Sequence, residues 1–379
     1  MKATFACACV LAACPAVAMA EPVKPSFSGV TIYGNFDEYY GYIHSTSGAH
    51  VVGLNDGAIL RSRLGFRGTE DLVPGYQIKF NLELGYNADT GTFNDPSRLF
   101  DRQAWVSANT PAGELRIGRQ HTEIFLIGGA IDYTERTTFG SLINTFPVPS
   151  RYDNDISFKT ERWEGVQATV HYALPENTGG ARNYPIYQLA LDYQKGPYRV
   201  GYAGLLARPN SATATVPEHI KYHNAYLNYK YGQGTLYAAF VRSNNSTANV
   251  NGLNAAAILS TTGVPNNFFP GTDLNARRFY NIWQLSADYR FTTQLRVGFL
   301  FGQMVDTSGG DAGSYGGNVG GFFDVTKRTT LYTFVSYLKN QANAGFRFSS
   351  SAAPSVNLAG NDVNGKGLSG LQVGVVHRF

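Results

Sequence analysis

The sequence predicts an all-β fold, a 16-stranded antiparallel transmembrane β-barrel. Three observations carry that expectation: apolar and polar residues alternate with a period of two along nearly the whole chain, an export signal precedes them, and the connections alternate short and long. The run from Tyr76 to Tyr86 shows the alternation best. Its even positions are Tyr76, Ile78, Phe80, Leu82, Leu84 and Tyr86, and its odd positions are Gln77, Lys79, Asn81, Glu83 and Gly85. In an extended chain the two sets fall on opposite faces. A soluble sandwich alternates in the same way. Many such strands behind an export signal, with no helical period between them, point instead to a bilayer, where only helices and closed barrels satisfy every backbone polar group.

The export signal is residues 1–20, leaving 21–379 as the barrel domain. Lys2 is the charged start, Ala3 to Ala13 form an apolar stretch too short to span a membrane, and Ala18-Met19-Ala20 is an A-x-A cleavage site. Leu11-Ala12-Ala13-Cys14 resembles a lipoprotein box and would instead leave Cys14 as the terminus. Cys7, Cys9 and Cys14 are the three cysteines, so cleavage after Ala20 removes all thiol and disulfide chemistry. It also removes Lys2, taking the formal charge from +4 to a mild +3. The basic residues are scattered, which excludes the clustered footprint of a nucleic-acid binder. The mean hydropathy of −0.20 excludes membrane helices and suits strands that are apolar on one face only.

Sixteen strands are expected to start near Val30, Ala58, Tyr76, Leu99, Glu114, Tyr152, Val166, Ile186, Tyr198, Ile220, Thr235, Arg278, Leu295, Ser314, Thr330 and Leu368. Short turns fall at 72–75, 110–113, 195–197, 231–234 and 291–293, and the longest connections near 122–150, 244–276 and 341–365. At roughly 20–23 residues per strand with its share of turn and loop, the mature length matches about sixteen strands, a barrel too wide for side chains to fill. In 186–194, Tyr187, Leu189, Leu191 and Tyr193 should face out, and Gln188, Ala190, Asp192 and Gln194 in. In 278–290, Phe279, Trp283, Leu285, Ala287 and Tyr289 should face out. In 166–174, Val166, Ala168, Val170 and Tyr172 should face out and His171 in. The runs near 30–42 and 330–340 alternate poorly, either because they are buried against neighbouring subunits or because their signal is weak. Arg61, Arg63 and Arg67 share odd parity opposite Leu60, Leu64 and Phe66, so they should project into the lumen, with Lys79 on the inner face of the next strand.

Other signals are discounted. His219 and His223 stand four apart, but in a strand this spacing separates them along the chain. The glycine-rich runs 309–321 and 365–367 lack the Lys-Ser/Thr ending and following helix of a phosphate loop. The sequons around Asn244-Asn245-Ser246-Thr247 mean little in a bacterial loop. No Ser or Asp with His and an orienting partner marks an outer-membrane hydrolase. Tyr33, Tyr39 and Tyr280 do not form the aromatic file of a sugar-specific channel.

Several motifs, in order, resemble the Gram-negative general porins, especially those of beta-proteobacteria. They are Tyr33-Gly34; the segment Arg63-Leu64-Gly65-Phe66-Arg67-Gly68-Thr69-Glu70-Asp71-Leu72; Phe100-Asp101-Arg102-Gln103-Ala104-Trp105-Val106; Gly118-Arg119-Gln120; and the terminal Val375-Val376-His377-Arg378-Phe379. The resemblance covers the whole mature chain. It implies an outer-membrane homotrimer of sixteen-stranded barrels, each with its third long loop folded into the lumen as a constriction. It implies acidic residues on that loop, here Asp132 and Glu135, facing a ladder of wall arginines. Arg63 takes the second-strand position, Arg102 the fourth, and Arg151 lies near the sixth but offset. A usual Pro-Glu-Phe-Gly stretch is replaced by Thr134-Glu135-Arg136-Thr137-Thr138-Phe139-Gly140, which puts Arg136 on a normally acidic loop. Phe379 is similar to the family's signal to the barrel-assembly machinery.

The function this implies is passive diffusion of small hydrophilic solutes and ions, with outer-membrane lipid and lipopolysaccharide around the barrel and no cofactor. The expected pore constriction is Arg61, Arg63, Arg67, Lys79, Arg102, Arg151, Asp132 and Glu135. Opposed charges across a narrow gap favour small polar solutes, and the excess of cations over acids gives a weak anion preference. Asp37 and Glu83 are lumenal acids that could offset it. A substrate-specific channel is the alternative, and an outer-membrane hydrolase a more distant one.

Overall fold

The computed structural model describes residues 26–137, 139–140, 150–174, 186–207, 220–244, 279–348, 354 and 356–379. Among the described residues eighteen strands form one antiparallel sheet that closes where β1 (Ser26–Ser45) pairs with β18 (Gly367–Arg378). They make sixteen staves. β2 (His50–Asp56) and β3 (Arg63–Val73) lie end to end against β1 as one stave, and β5 (Thr92–Phe93) is a two-residue hairpin on β4 (Tyr76–Asn87). The others follow in chain order: β6 (Gln103–Thr110), β7 (Gly113–His121), β8 (Arg151–Thr160), β9 (Val166–Ala173), β10 (Ile186–Lys195), β11 (Tyr198–Ala207), β12 (Ile220–Tyr231), β13 (Gly234–Ser243), β14 (Tyr280–Arg290), β15 (Leu295–Asp306), β16 (Ser314–Asp324) and β17 (Thr329–Asn340). Closure removes every sheet edge, as a lipid environment demands.

The strand starts agree with expectation to within a few residues, with two corrections. Ala58 does not open a strand. It lies in residues 57–62, which interrupt the second stave, and it is fully buried. The stretch from Leu99 is not yet strand either, because Asp101 pins it: one carboxylate oxygen accepts from the Gly85 N–H at 2.6 Å and the other from Asn94 Nδ2 at 2.9 Å. β6 begins only at Gln103. The export signal, His219 and the strand start at Arg278 lie outside the described residues.

The outer surface is the apolar face that the alternation requires. Leu189, Leu191, Val170, Trp283 and Leu285 are exposed there, as expected, while Gln188, Thr169, His171, Gln284 and Ser286 are buried behind them. Toward the short-turn end the outer face carries aromatic pairs, Tyr198 with Tyr229 at 5.2 Å and Tyr289 with Phe291 at 5.2 Å, the girdle of a barrel at a membrane interface.

The poor alternation of two staves has a cause other than those considered from sequence. β17 alternates fully in space: Leu331, Val335 and Tyr337 are exposed, and Tyr332, Phe334 and Leu338 are buried. Its inner face is apolar because chain packs against it. The Phe334 ring lies 5.8 Å from that of Tyr133, and on β1 the Tyr39 ring lies 6.0 Å from that of Phe139. Both partners belong to the segment after β7.

Candidate functional site

That segment starts with a short helix, α1 (Glu123–Ile127), capped by Thr122, whose hydroxyl accepts from the Phe125 N–H at 3.0 Å. The chain then turns through Glu135 and Arg136, both at positive φ (53° and 66°). Its described residues bond to side chains that register places on the inner face of the wall. Asn228 on β12 donates to the Ala130 carbonyl at 2.7 Å. Gln284 on β14 donates to Asp132 Oδ2 at 2.7 Å, and Ser286 accepts from the Tyr133 N–H at 3.2 Å. The Tyr133 hydroxyl donates to Asn318 on β16 at 2.5 Å. Ser336 on β17 donates to the Phe139 carbonyl at 2.6 Å. A side chain at Gly298 on β15 would strike the Tyr133 ring, so this glycine makes room for it.

The basic side of the site is built by arginines on the strands and in the short segments that lead into β3 and β6. Arg102 is 2% exposed, and its Nε donates to Glu83 Oε1 at 2.7 Å. Arg63 reaches the same oxygen at 3.7 Å. Glu83 also accepts from the Tyr33 hydroxyl at 2.9 Å. The two arginines expected to act together are therefore brought together, with one carboxylate held between them. Arg61 is in the interruption of the second stave, its Nη2 donating to Asn87 Oδ1 at 3.0 Å. Arg67 is further toward the turns, exposed, with its guanidinium 4.9 Å from the Tyr33 ring. Lys79 faces inward beside Thr69 and Ser107. Arg151 opens β8, buried opposite His121, with its guanidinium 5.6 Å from the Phe125 ring.

The acids are tied down. Asp132 is buried, accepting from the Thr134 N–H at 2.8 Å and the Thr134 hydroxyl at 2.5 Å through one oxygen, and from Gln284 through the other. Glu135 is ion-paired with Arg296 on β15, which also reaches Asp288 at 3.3 Å. Asp37 is fully buried and accepts from the Ile59 and Leu60 N–H groups at 2.8 and 2.7 Å and from Tyr332 at 2.6 Å. Arg136 donates to the Phe125 carbonyl and stacks on the Phe125 ring at 3.6 Å. Burial pushes its guanidinium down to about 10, still cationic at neutral pH.

A cavity lies inside the barrel between this segment and the wall. Among the described residues its charged lining is Arg63, Arg116, Arg136, Arg199, Lys230 and Arg296 against Asp132 and Glu135. Arg116 is paired with Glu114 at 2.9 Å and Arg199 with Asp192 at 2.7 Å.

The sequence profile described as Gram-negative porin matches residues 6–343. The chain belongs to the Gram-negative porin family. An outer membrane porin protein of Bordetella pertussis is 30% identical over 90% of this chain and 95% of its own length. The major outer membrane protein P.IB of Neisseria lactamica is 25% identical over 89% and 94%. Among solved structures, an anion-selective porin from Comamonas acidovorans superposes with a TM-score of 0.72 at 21% identity, covering 93% of this chain and all of its own. OmpF of Salmonella typhi superposes at 0.64 with 12% identity, covering 92% and 97%. This porin is thus a multi-pass protein of the outer membrane and a passive diffusion channel.

Four cations of the porin's cavity were missed from sequence: Arg116, Arg199, Lys230 and Arg296. The signal was available. Continuing the parity of Gln194 across the turn to β11 puts Arg199 opposite Gln194, facing in, and β12 then carries Lys230 on the same face as Asn228. Arg296 follows in the same way from Asp288, two residues from its cross-strand partner Arg290.

Proposed function

We propose that this porin admits small hydrophilic solutes and ions with a weak preference for anions. The segment after β7, its third long loop, folds into the lumen and narrows the path. The observation that carries this reading is the charge along the cavity, six cations against two acids. Acids beside the lining temper that surplus, Glu83 at Arg63, Glu114 at Arg116, Asp192 at Arg199 and Asp288 at Arg296, which keeps the preference weak, while Asp37 is held by backbone N–H groups. Rings of like charge set ion preference in channels, and here the surplus is positive. The name of the Comamonas acidovorans relative, an anion-selective porin, accords with that sign. Arg63 is the expected constriction residue that lines the cavity on the wall. Arg102 acts behind it through Glu83, and Asp132 serves to hold the loop.

The same reading takes the barrel as a homotrimer, as in the trimer form of Vibrio cholerae OmpT with its TM-score of 0.60. It takes residues 1–20 as removed on export and 21–379 as the barrel domain. Phe379 is the assembly signal, and the protein is a channel and no enzyme. Lipopolysaccharide phosphates would meet Lys221, His223 and Arg242, which face outward near the loop-side ends of β12 and β13, with His223 and Arg242 directly opposite each other. The test is single-channel current and reversal potential of the refolded mature protein under a salt gradient. Triplet steps with an anion-favouring potential support the reading. A cation-favouring potential overturns the charge assignment, and absence of conductance overturns the channel.

A further inference from the structure

The interruption of the second stave is a built feature. Between the pairs Glu38–Asp56 and Asn35–Arg63, β1 spans two residues, Phe36 and Asp37, while the facing stave spans six, 57–62. Four residues are therefore surplus to the ladder, and an even surplus leaves the inward parity of Asn55 and Arg63 intact. The surplus is held by polar side chains of β1 and of the interruption itself. Besides the two Asp37 bonds, Asn35 Nδ2 donates to the Leu60 carbonyl at 2.8 Å and to the Arg61 carbonyl at 3.2 Å. The Ser62 hydroxyl accepts from the Asp37 N–H at 2.9 Å, and Gly57, at φ 76°, donates to the Asp37 carbonyl at 2.7 Å. A Cβ at Gly57 would lie 2.9 Å from the Arg61 Cα, so the tight reversal requires glycine there.

The surplus projects inward. Ala58 and Ile59 are buried within the apolar cluster that includes Tyr39 and Phe139, the latter from the third loop. Ile59 and Leu60 border the cavity described above. A second cavity, toward the short turns, is bordered by Ile59 together with Glu135 and Arg296, and these three residues are shared by both cavities. The junction between the two spaces is thus framed by the third loop on one side and the stave interruption on the other. The interruption also aims a charge: the Arg61 carbonyl accepts from Arg63 Nε at 2.9 Å.

We infer that residues 57–62 are a second constricting element of the channel, opposite the third loop, and that Leu60 is a size-determining side chain of the path. This rests on the diffusion-channel reading and deepens it. An apolar side chain beside cationic ones narrows the opening without offering charge or hydrogen bonds, so it excludes bulk while leaving the sign of ion preference to the arginines.

The test removes the surplus. Deleting residues 58–61 leaves Gly57 and Ser62 to face Asp37 and Phe36 in a continuous ladder. The full-chain variant is refolded, checked for assembly like that of the parent, and compared in planar bilayers and in liposome swelling with neutral sugars of increasing size. The expected result is a conductance raised by about 1.5-fold or more and a larger solute cut-off. An assembled deletion variant with unchanged conductance and cut-off overturns the inference. If the deletion does not assemble, Leu60→Ala decides. Faster entry of the larger sugars supports the element, and entry at the parental rate overturns it. A parent protein that forms no channel would strike the diffusion reading instead, so the two failures are distinct.

Discussion

Arg102 and Glu83 form an enclosed ion pair of the inner wall: Nε to Oε1 is 2.7 Å and each side chain is 2% exposed. Arg63 shares the same carboxylate at 3.7 Å, so one acid holds two cations at the side of the path. Removing one partner of a buried pair leaves a charge without compensation, which costs about 3–5 kcal/mol. Glu83→Gln should therefore lower the thermal stability of the folded barrel and, by freeing two cations, move the reversal potential further toward anions. Replacing Arg63 and Arg102 together by Gln should move it toward cations while subunit assembly persists. Equal potentials in both variants would remove this cluster from ion selection.

Glu135 and Arg296 face each other across the junction of the two cavities. Arg296 keeps a second acid, Asp288, at 3.3 Å, so it stays fixed when Glu135 is neutralised. Glu135→Gln should increase anion preference, and Arg296→Gln should decrease it, in the same salt-gradient measurement. The size of each shift should fall as ionic strength rises, because at ~1 M salt the screening length is only about 3 Å.

The third loop is held to the wall by a few hydrogen bonds, among them Gln284 to the Asp132 carboxylate and Ser336 to the Phe139 carbonyl, each 2.6–2.7 Å. The neutral bond contributes about 0.5–1.5 kcal/mol and the bond to the carboxylate about 1.5–3 kcal/mol. Gln284→Ala combined with Ser336→Ala should leave the barrel folded and make its open-state current noisier, with added substates. A current trace as quiet as the parent's would mean that packing of Tyr133 and Phe139 alone fixes the loop.

Most of the fold was legible because a barrel repeats one rule, outward apolar and inward polar, and each stave reports it independently. The rule failed where a second layer of chain lies inside. Phe334 on β17 and Tyr39 on β1 face in yet are apolar, since they pack against Tyr133 and Phe139 of the segment after β7. The start assigned to Ala58 failed for a related reason: residues 57–62 keep the parity of the strand on either side while leaving the ladder, and parity is all that sequence offers there. Arg63 was named by resemblance and parity together, and Arg102 by resemblance alone. Arg199 and Arg296 were not, because their roles come from register across turns and not from any local motif. The shift of acidic duty from a free loop carboxylate to a tethered Asp132 depends on Gln284, more than 150 residues away.

Phe379 offers a way to separate a signal from a structural contact. Its backbone exchanges two hydrogen bonds with Gly34, each 3.0 Å, and so joins the end of the chain to the first stave at the closing seam. Its ring covers Gly34, where any side chain would collide with it. Half the residue remains exposed at 49%, so the ring contributes only part of its area to the barrel. Phe379→Ala keeps both backbone bonds and loses about 1–2 kcal/mol of apolar burial, little against a fully laddered barrel. The refolded variant should therefore show nearly parental thermal stability and conductance. Its yield in cell outer membranes should drop severalfold if the terminal aromatic is read during assembly. A parallel fall in refolded stability and cellular yield would assign Phe379 to the seam alone. Gly34→Val is the control for the seam: its side chain would strike the Arg63 carbonyl as well as the Phe379 ring while leaving the terminal residue intact, so it should lower stability without abolishing recognition.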